Sequence, residues 1–148
     1  MHIEIDQSGK IEQLNYDTII AFSNDHQYSV LIKKSIKREI FVKYKSKVKN
    51  LRYKRFCLGI YYCVKNYLNN YNSMTIDFEY KGKENLIKSL LLDYIRLEFS
   101  GFNSKLIRFG SITKNSNAHA VAIDVFRGNR KPNFTLFLNE VEKWLKKG

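Results

Sequence analysis

The sequence predicts an α/β domain whose five strands and its helices follow one another in the order βββαβαβα. Three observations point there. Alternation of apolar and polar residues at 2–6 and 73–80 has the period of a strand. Apolar residues at three- and four-residue spacing over 51–68 and 84–99 have the period of a helix. With Pro 1 and Gly 7 in 148 residues, no long irregular linker is expected between them. That length predicts one domain over residues 1–148, with a real apolar core.

Residues 2–6 form the first strand, Ile3 and Ile5 on one face and His2, Glu4 and Asp6 on the other, with Asp6 at the strand end. Gln7-Ser8-Gly9 then turns, Gly9 tolerating the positive φ that a tight turn asks for. Residues 18–23 are rich in β-branched and aromatic side chains and read as a second strand, antiparallel to a third at 28–32. The turn between them carries His26, read as a solvated loop residue. Residues 33–55 hold Lys33, Lys34, Lys37, Arg38, Lys43, Lys45, Lys47, Lys49, Arg52, Lys54 and Arg55, with Glu39 as the only acid. Within them Ile36, Ile40 and Phe41 suit a helical turn, and 40–42 suit a short strand.

The helix at 51–68 buries Phe56, Ile60, Cys63, Val64, Tyr67 and Leu68, with Gly59 either a mild cost or a close-packing point against a sheet. Asparagines in 69–72 end it. A fourth strand at 73–80 places Met74, Ile76, Phe78 and Tyr80 on one face and Thr75, Asp77 and Glu79 on the other. After a turn at 81–84 comes a helix with a broad apolar stripe at 84–99, stopped by Ser100-Gly101, and a fifth strand at 106–109. Ser116 or Asn117 caps a helix at 118–127. Gly128 ends it, and 129–133 is a basic connector. A final amphipathic helix is expected at 134–147, its closing lysines suited to the helix dipole.

Lys+Arg 26 against Asp+Glu 14 gives a net charge of +12 and a pI near 9.7. A bias of that size predicts attraction to a polyanion, with nucleic acid first and an anionic membrane surface second. Tyr44 and Tyr53, in and beside the basic block, suit stacking on bases; the competing reading is a solvated lysine-rich face. No apolar run approaches the roughly 20 residues of a membrane span. The polar start is unlike a signal peptide, so a cytoplasmic protein is expected. Cys57 and Cys63 stand six positions apart, about 240° around a helix, too far round to pair. They read as small core residues, and no Cys/His zinc spacing is present.

The carboxylates carry the chemistry. Asp6 at a strand end before a small-residue turn is one way to hold a divalent metal, and also an ordinary way to begin a hairpin. Asp77 and Glu79, side by side on one face of an otherwise buried strand, are costly unless a cation or hydrogen-bond donors compensate them.

In its order of elements the chain resembles the ribonuclease H-like superfamily, which includes the ribonucleases H, RuvC-type Holliday-junction resolvases and many transposases. Ile5-Asp6-Gln7-Ser8-Gly9-Lys10, Ile76-Asp77-Phe78-Glu79-Tyr80, Ala118-His119-Ala120-Val121-Ala122 and Arg127-Gly128-Asn129-Arg130-Lys131-Pro132 look like motifs of small prokaryotic, mainly archaeal, members. The resemblance implies a mixed five-stranded sheet flanked by helices, with the first and fourth strands adjacent at its centre. It further implies phosphodiester hydrolysis with two Mg²⁺ or Mn²⁺ ions, in branched DNA or an RNA–DNA hybrid.

On that resemblance Asp6 is the bridging ligand, Glu79 the fourth-strand acid and Asp77 its alternate. The third position falls to His119, as ligand or water-positioning base, or to Asp124 as metal ligand. The two lie about 140° apart on a helix, so both are not expected at one site. Lys10, Lys114, Arg127, Arg130 and Lys131 would contact phosphates near the same sheet edge. Junction resolvases need two sites, so a homodimer is admitted. One departure stands out: the first long helix has no acid where ribonucleases H carry a glutamate. That departure favours a resolvase-like layout or a degenerate, inactive domain. The alternative function is a non-catalytic basic nucleic-acid-binding module of the same fold, and a protein-interaction domain with incidental charge is a third reading.

Overall fold

The computed structural model describes residues 2–23, 26–68, 73–112 and 116–147. Apolar residues at alternate positions form the centre of a sheet: β1 (His2–Ser8), β2 (Thr18–Ser23), β3 (Gln27–Ile32), β4 (Ser73–Asp77), β5 (Ile107–Gly110) and β6 (Phe134–Thr135). Their order across the sheet is β5-β4-β1-β2-β3-β6. β1–β2 and β2–β3 are antiparallel, whereas β1–β4, β4–β5 and β3–β6 are parallel, so the sheet is mixed. The expected adjacency of the first and fourth strands is present, with Ile5 in register with Ile76.

Helices α1 (Lys34–Tyr44), α2 (Leu51–Val64), α3 (Glu84–Glu98), α4 (Asn117–Phe126) and α5 (Leu138–Lys147) complete the chain. Ile3 and Ile5 of β1 join the main core with Phe56, Ile60 and Val64 of α2, Leu91 and Ile95 of α3, and Val141 and Trp144 of α5. On the other face Val121, Ala122 and Val125 of α4 close over Ile19 and Ala21 of β2. Gly59 is the close-packing point: a Cβ there would lie 2.3 Å from Ile20 Cδ1, so α2 rests on the sheet through bare backbone. Cys57 and Cys63 are buried free thiols. No helix among the described residues is long and apolar enough to cross a membrane.

Three expectations about the strands and the last helix need correction. The sheet has six strands, not five, because Asn133 binds Ser29 and Leu136 N–H donates to Leu31 O at 2.9 Å, adding β6 to the open edge of β3. The last helix accordingly begins at Leu138 rather than at 134. β1 runs to Ser8, since Gln7 and Ser8 pair with Ile20 and Ile19, so Asp6 lies within the strand rather than at its end. Of the two readings left open within 33–55 the helical one is realised: the segment forms α1 and the start of α2, and two of its cations are interior. Lys37 is fully buried and donates to Gln13 O, to Thr18 Oγ1 at 2.9 Å and to Lys10 O at 3.4 Å. Arg55, 4% exposed, donates to Lys37 O at 3.1 Å. The basic connector at 129–133 matches, as does the Ser116 cap, whose Oγ accepts from Ala118 N–H at 3.2 Å.

Candidate metal centre

β1 and β4 lie side by side and parallel, and continuing their register one residue beyond Ile5–Ile76 brings Asp6 level with Asp77. Register partners in a parallel pair point to the same face about 4.8 Å apart, so pairing alone brings two carboxylates together. β4 ends at Asp77, where Ile112 N–H donates to Asp77 Oδ1 at 2.8 Å. The chain then folds back, Glu79 N–H donating to Asp77 O at 2.9 Å, and the Glu79 carboxylate joins the pair. Glu79 thus reaches the site from a turn, not from the strand expected to run on to 80.

One ligand atom from each of Asp6, Asp77 and Glu79 lies within 4.8 Å of the others. Oxygens on opposite sides of one Mg²⁺ stand about 4.2 Å apart, at about 2.1 Å from the ion each. Three oxygens cannot all stand opposite one another, and adjacent ones are about 3.0 Å apart, so side-chain rotation would draw the three carboxylates together on a single hard divalent cation. The donor set is all oxygen, which suits Mg²⁺ or Mn²⁺ and not a thiolate-seeking metal.

The electrostatics agree with a site short of positive charge. Burial, then the adjoining Asp77 and Asp6 carboxylates, push Glu79 up to about 7, opposed by Lys10. Burial also raises Asp6 above its ordinary value, with Asp77 adding to the rise; hydrogen bonds from His119 and from the Gln7 amide oppose it. A divalent cation would supply the missing compensation.

Asp6 is held from both sides. Gln7 N–H donates to Oδ1 at 2.9 Å. His119 Nδ1 lies 2.8 Å from Oδ2, and an ionised carboxylate only accepts, so Nδ1 is the donor. His119 is placed there by the second residue pair joining α4 to β1: Ser116 Oγ donates to Glu4 Oε1 at 3.2 Å while capping the helix. Glu4 shares the Asp6 face of β1 but was no candidate in the sequence, because its partner lies more than a hundred residues away.

The other expected residues fall elsewhere. Among the described residues His119 is not in the group of ligand atoms; it stands one hydrogen bond behind Asp6. Asp124 is not in that group either: it lies half-exposed on another flank of α4, 3.9 Å from Arg130 Nη2. Arg130 also donates to Gln27 at the start of β3, two strands from β1 or about 10 Å across the sheet. Arg127 and Lys131 are exposed beyond the end of α4. Lys10 is exposed and near enough to act on Glu79. Lys114 lies outside the described residues. No family model, curated protein or solved structure matches the chain.

Proposed function

We propose that this chain is a metal-dependent endonuclease of ribonuclease H-like fold that hydrolyses phosphodiester bonds in a structured nucleic acid, branched DNA or an RNA–DNA hybrid. The observation that carries the reading is the convergence of Asp6, Asp77 and Glu79 within 4.8 Å, from two adjacent parallel strands and the turn that follows the second. The +12 charge supports a polyanionic substrate.

Mg²⁺ or Mn²⁺ ions, as two ions in this reading, would polarise the scissile phosphate and lower the pKa of an attacking water. The chain's own residues do the rest. Asp6, Asp77 and Glu79 would hold the cations. The Ile112 and Gln7 amides fix the Asp77 and Asp6 carboxylates in direction. His119, bonded to Asp6 through Nδ1, orients that ligand and leaves Nε2 to accept or return a proton. Lys10 offsets negative charge at the rim.

One observation favours the non-catalytic alternative: α2 has no acid to add, so the cluster stops at three carboxylates among the described residues. A four-way junction, an RNA–DNA hybrid and single-stranded DNA incubated with Mg²⁺ or Mn²⁺ separate the two. The nuclease reading expects cleavage of one substrate, abolished by chelation, by Asp6→Asn and by Glu79→Gln. Salt-dependent binding without cleavage supports the binding module instead. Cleavage that survives both substitutions, or binding with a flat response to salt, removes the reading.

A further inference from the structure

At the junction of α1 and α2 the surface opens into a pocket of about 300 Å³ whose lining includes Glu12, Lys45, Lys49, Asn50, Arg52 and Arg55. Four of these side chains are cationic and one is acidic. Lys45, Lys49 and Arg52 are exposed at its walls. Among the described residues no acid lies within ion-pairing distance of any of the four; the acid that lines the pocket, Glu12, instead accepts from Tyr80 Oη at 3.2 Å.

The N-terminus of α2 opens on the same pocket. Asn50 precedes the helix in a left-handed conformation (φ 59) without a side-chain cap, and the first turn contains no acid. The amides of Leu51, Arg52 and Tyr53 therefore lack the side-chain acceptor that such an end commonly has, and the helix dipole adds positive potential. The second observation is independent of the helix end. Arg55 is 4% exposed, yet its Nε is buried without a hydrogen-bond partner, while Nη1 is committed to Lys37 O. A buried guanidinium nitrogen with no acceptor is costly, and an arginine is shaped to bind two oxygens of one oxyanion.

We propose that this pocket binds a phosphate monoester, its oxygens received by the α2 N-terminal amides, Arg55 and the flanking Lys49 and Arg52. A dianion matches a surplus of three positive charges better than a singly charged diester does. The apolar side chains of Leu14, Phe41 and Val48 leave room beside the phosphate for the organic part of the ligand. The site uses none of the acidic-cluster residues and does not depend on the endonuclease reading.

Amide NMR on the full chain with chelator present, at constant ionic strength, tests it with four probes: inorganic phosphate, adenosine monophosphate, a short DNA strand with a terminal phosphate, and the same strand with a terminal hydroxyl. Saturable shifts at Leu51, Arg52 and Tyr53 are expected with the first three, and not with the fourth. The tighter of the nucleotide and the phosphorylated strand identifies the natural source. Lys49→Ala with Arg52→Ala, both at exposed positions and so compatible with folding, is expected to weaken binding about tenfold or more. Shifts that scatter over surface lysines without saturating, equal binding of the hydroxyl strand, or affinity unchanged in the double variant would overturn the proposal.

Discussion

His119 Nδ1 donates to Asp6 Oδ2 at 2.8 Å, joining the N-terminal turn of α4 to the middle of β1 across 113 residues of sequence. The bond fixes which lone pairs of Asp6 stay open toward Asp77 and Glu79. Partners of this kind typically change metal affinity by about tenfold to hundredfold when removed. His119→Ala is therefore expected to weaken Mn²⁺ binding by about tenfold in calorimetry. The loss in folding stability should be small, about 1 kcal/mol, because His119 is partly exposed. Unchanged Mn²⁺ affinity would show that Asp6 does not need this partner.

Glu79, pushed up to about 7 by burial and the adjoining acids, makes stability and metal binding depend on pH in opposite directions. Between its ordinary value of 4.5 and about 7 the folded chain holds a proton that the unfolded chain has released. In that window metal-free stability falls as pH rises. Metal binding requires the ionised carboxylates and strengthens over the same range. The rise in Tm produced by Mn²⁺ should be large at about pH 8 and nearly absent at about pH 5. Thermal melts with Glu79→Gln should lose most of this pH dependence; a metal-induced shift equal at both pH values would contradict the assignment.

Lys37 fastens the segment that follows Asp6, its amine reaching Lys10 O, Gln13 O and Thr18 Oγ1 from inside the domain. Lys37→Met removes the donor and leaves buried acceptors without a partner. A loss of about 3 kcal/mol is expected in urea unfolding, from the cost of about 1–3 kcal/mol per unsatisfied buried group. A neutral substitution would mean that water replaces the amine.

At Gly59 two effects compete. Alanine is favoured over glycine in a helix by about 1 kcal/mol, but the new Cβ would meet Ile20 Cδ1 at 2.3 Å and Ile32 Cδ1 at 3.2 Å. Overpacking of this kind costs about 1–3 kcal/mol, so Gly59→Ala is expected to lower stability by about 1 kcal/mol net. A raised Tm would show that α2 can lift from the sheet at no cost.

Most of the fold was legible in the sequence because it rests on local periodicity. The alternation at 2–6 and 73–77, the β-branched run at 18–23 and the apolar stripe of α3 each follow from side-chain spacing and the need to bury one face. Gly59 was legible only as a choice between a mild cost and a close approach, and the packing of α2 on Ile20 decides for the second. The addition of β6 was not legible: two residues carry no period, and the strand exists because Asn133 finds Ser29 across the chain.

The candidate site divides in the same way. Sequence alone determined that Asp6 and Asp77 stand on strands, that Asp77 and Glu79 are near one another, and that the chain is strongly basic. It left His119 and Asp124 as equals. Tertiary structure decided between their positions, because the direction in which α4 crosses β1 and β2 depends on packing of Val121, Ala122 and Val125 and on the Ser116–Glu4 bond. It also took Lys37 and Arg55 out of the basic surface, since a charge run has no period that tells a buried amine from a solvated one. Patterns one strand or one helix long are written in neighbouring residues. Convergence of three carboxylates from β1 and the end of β4 depends on which strands pair, and that follows from packing across the whole chain.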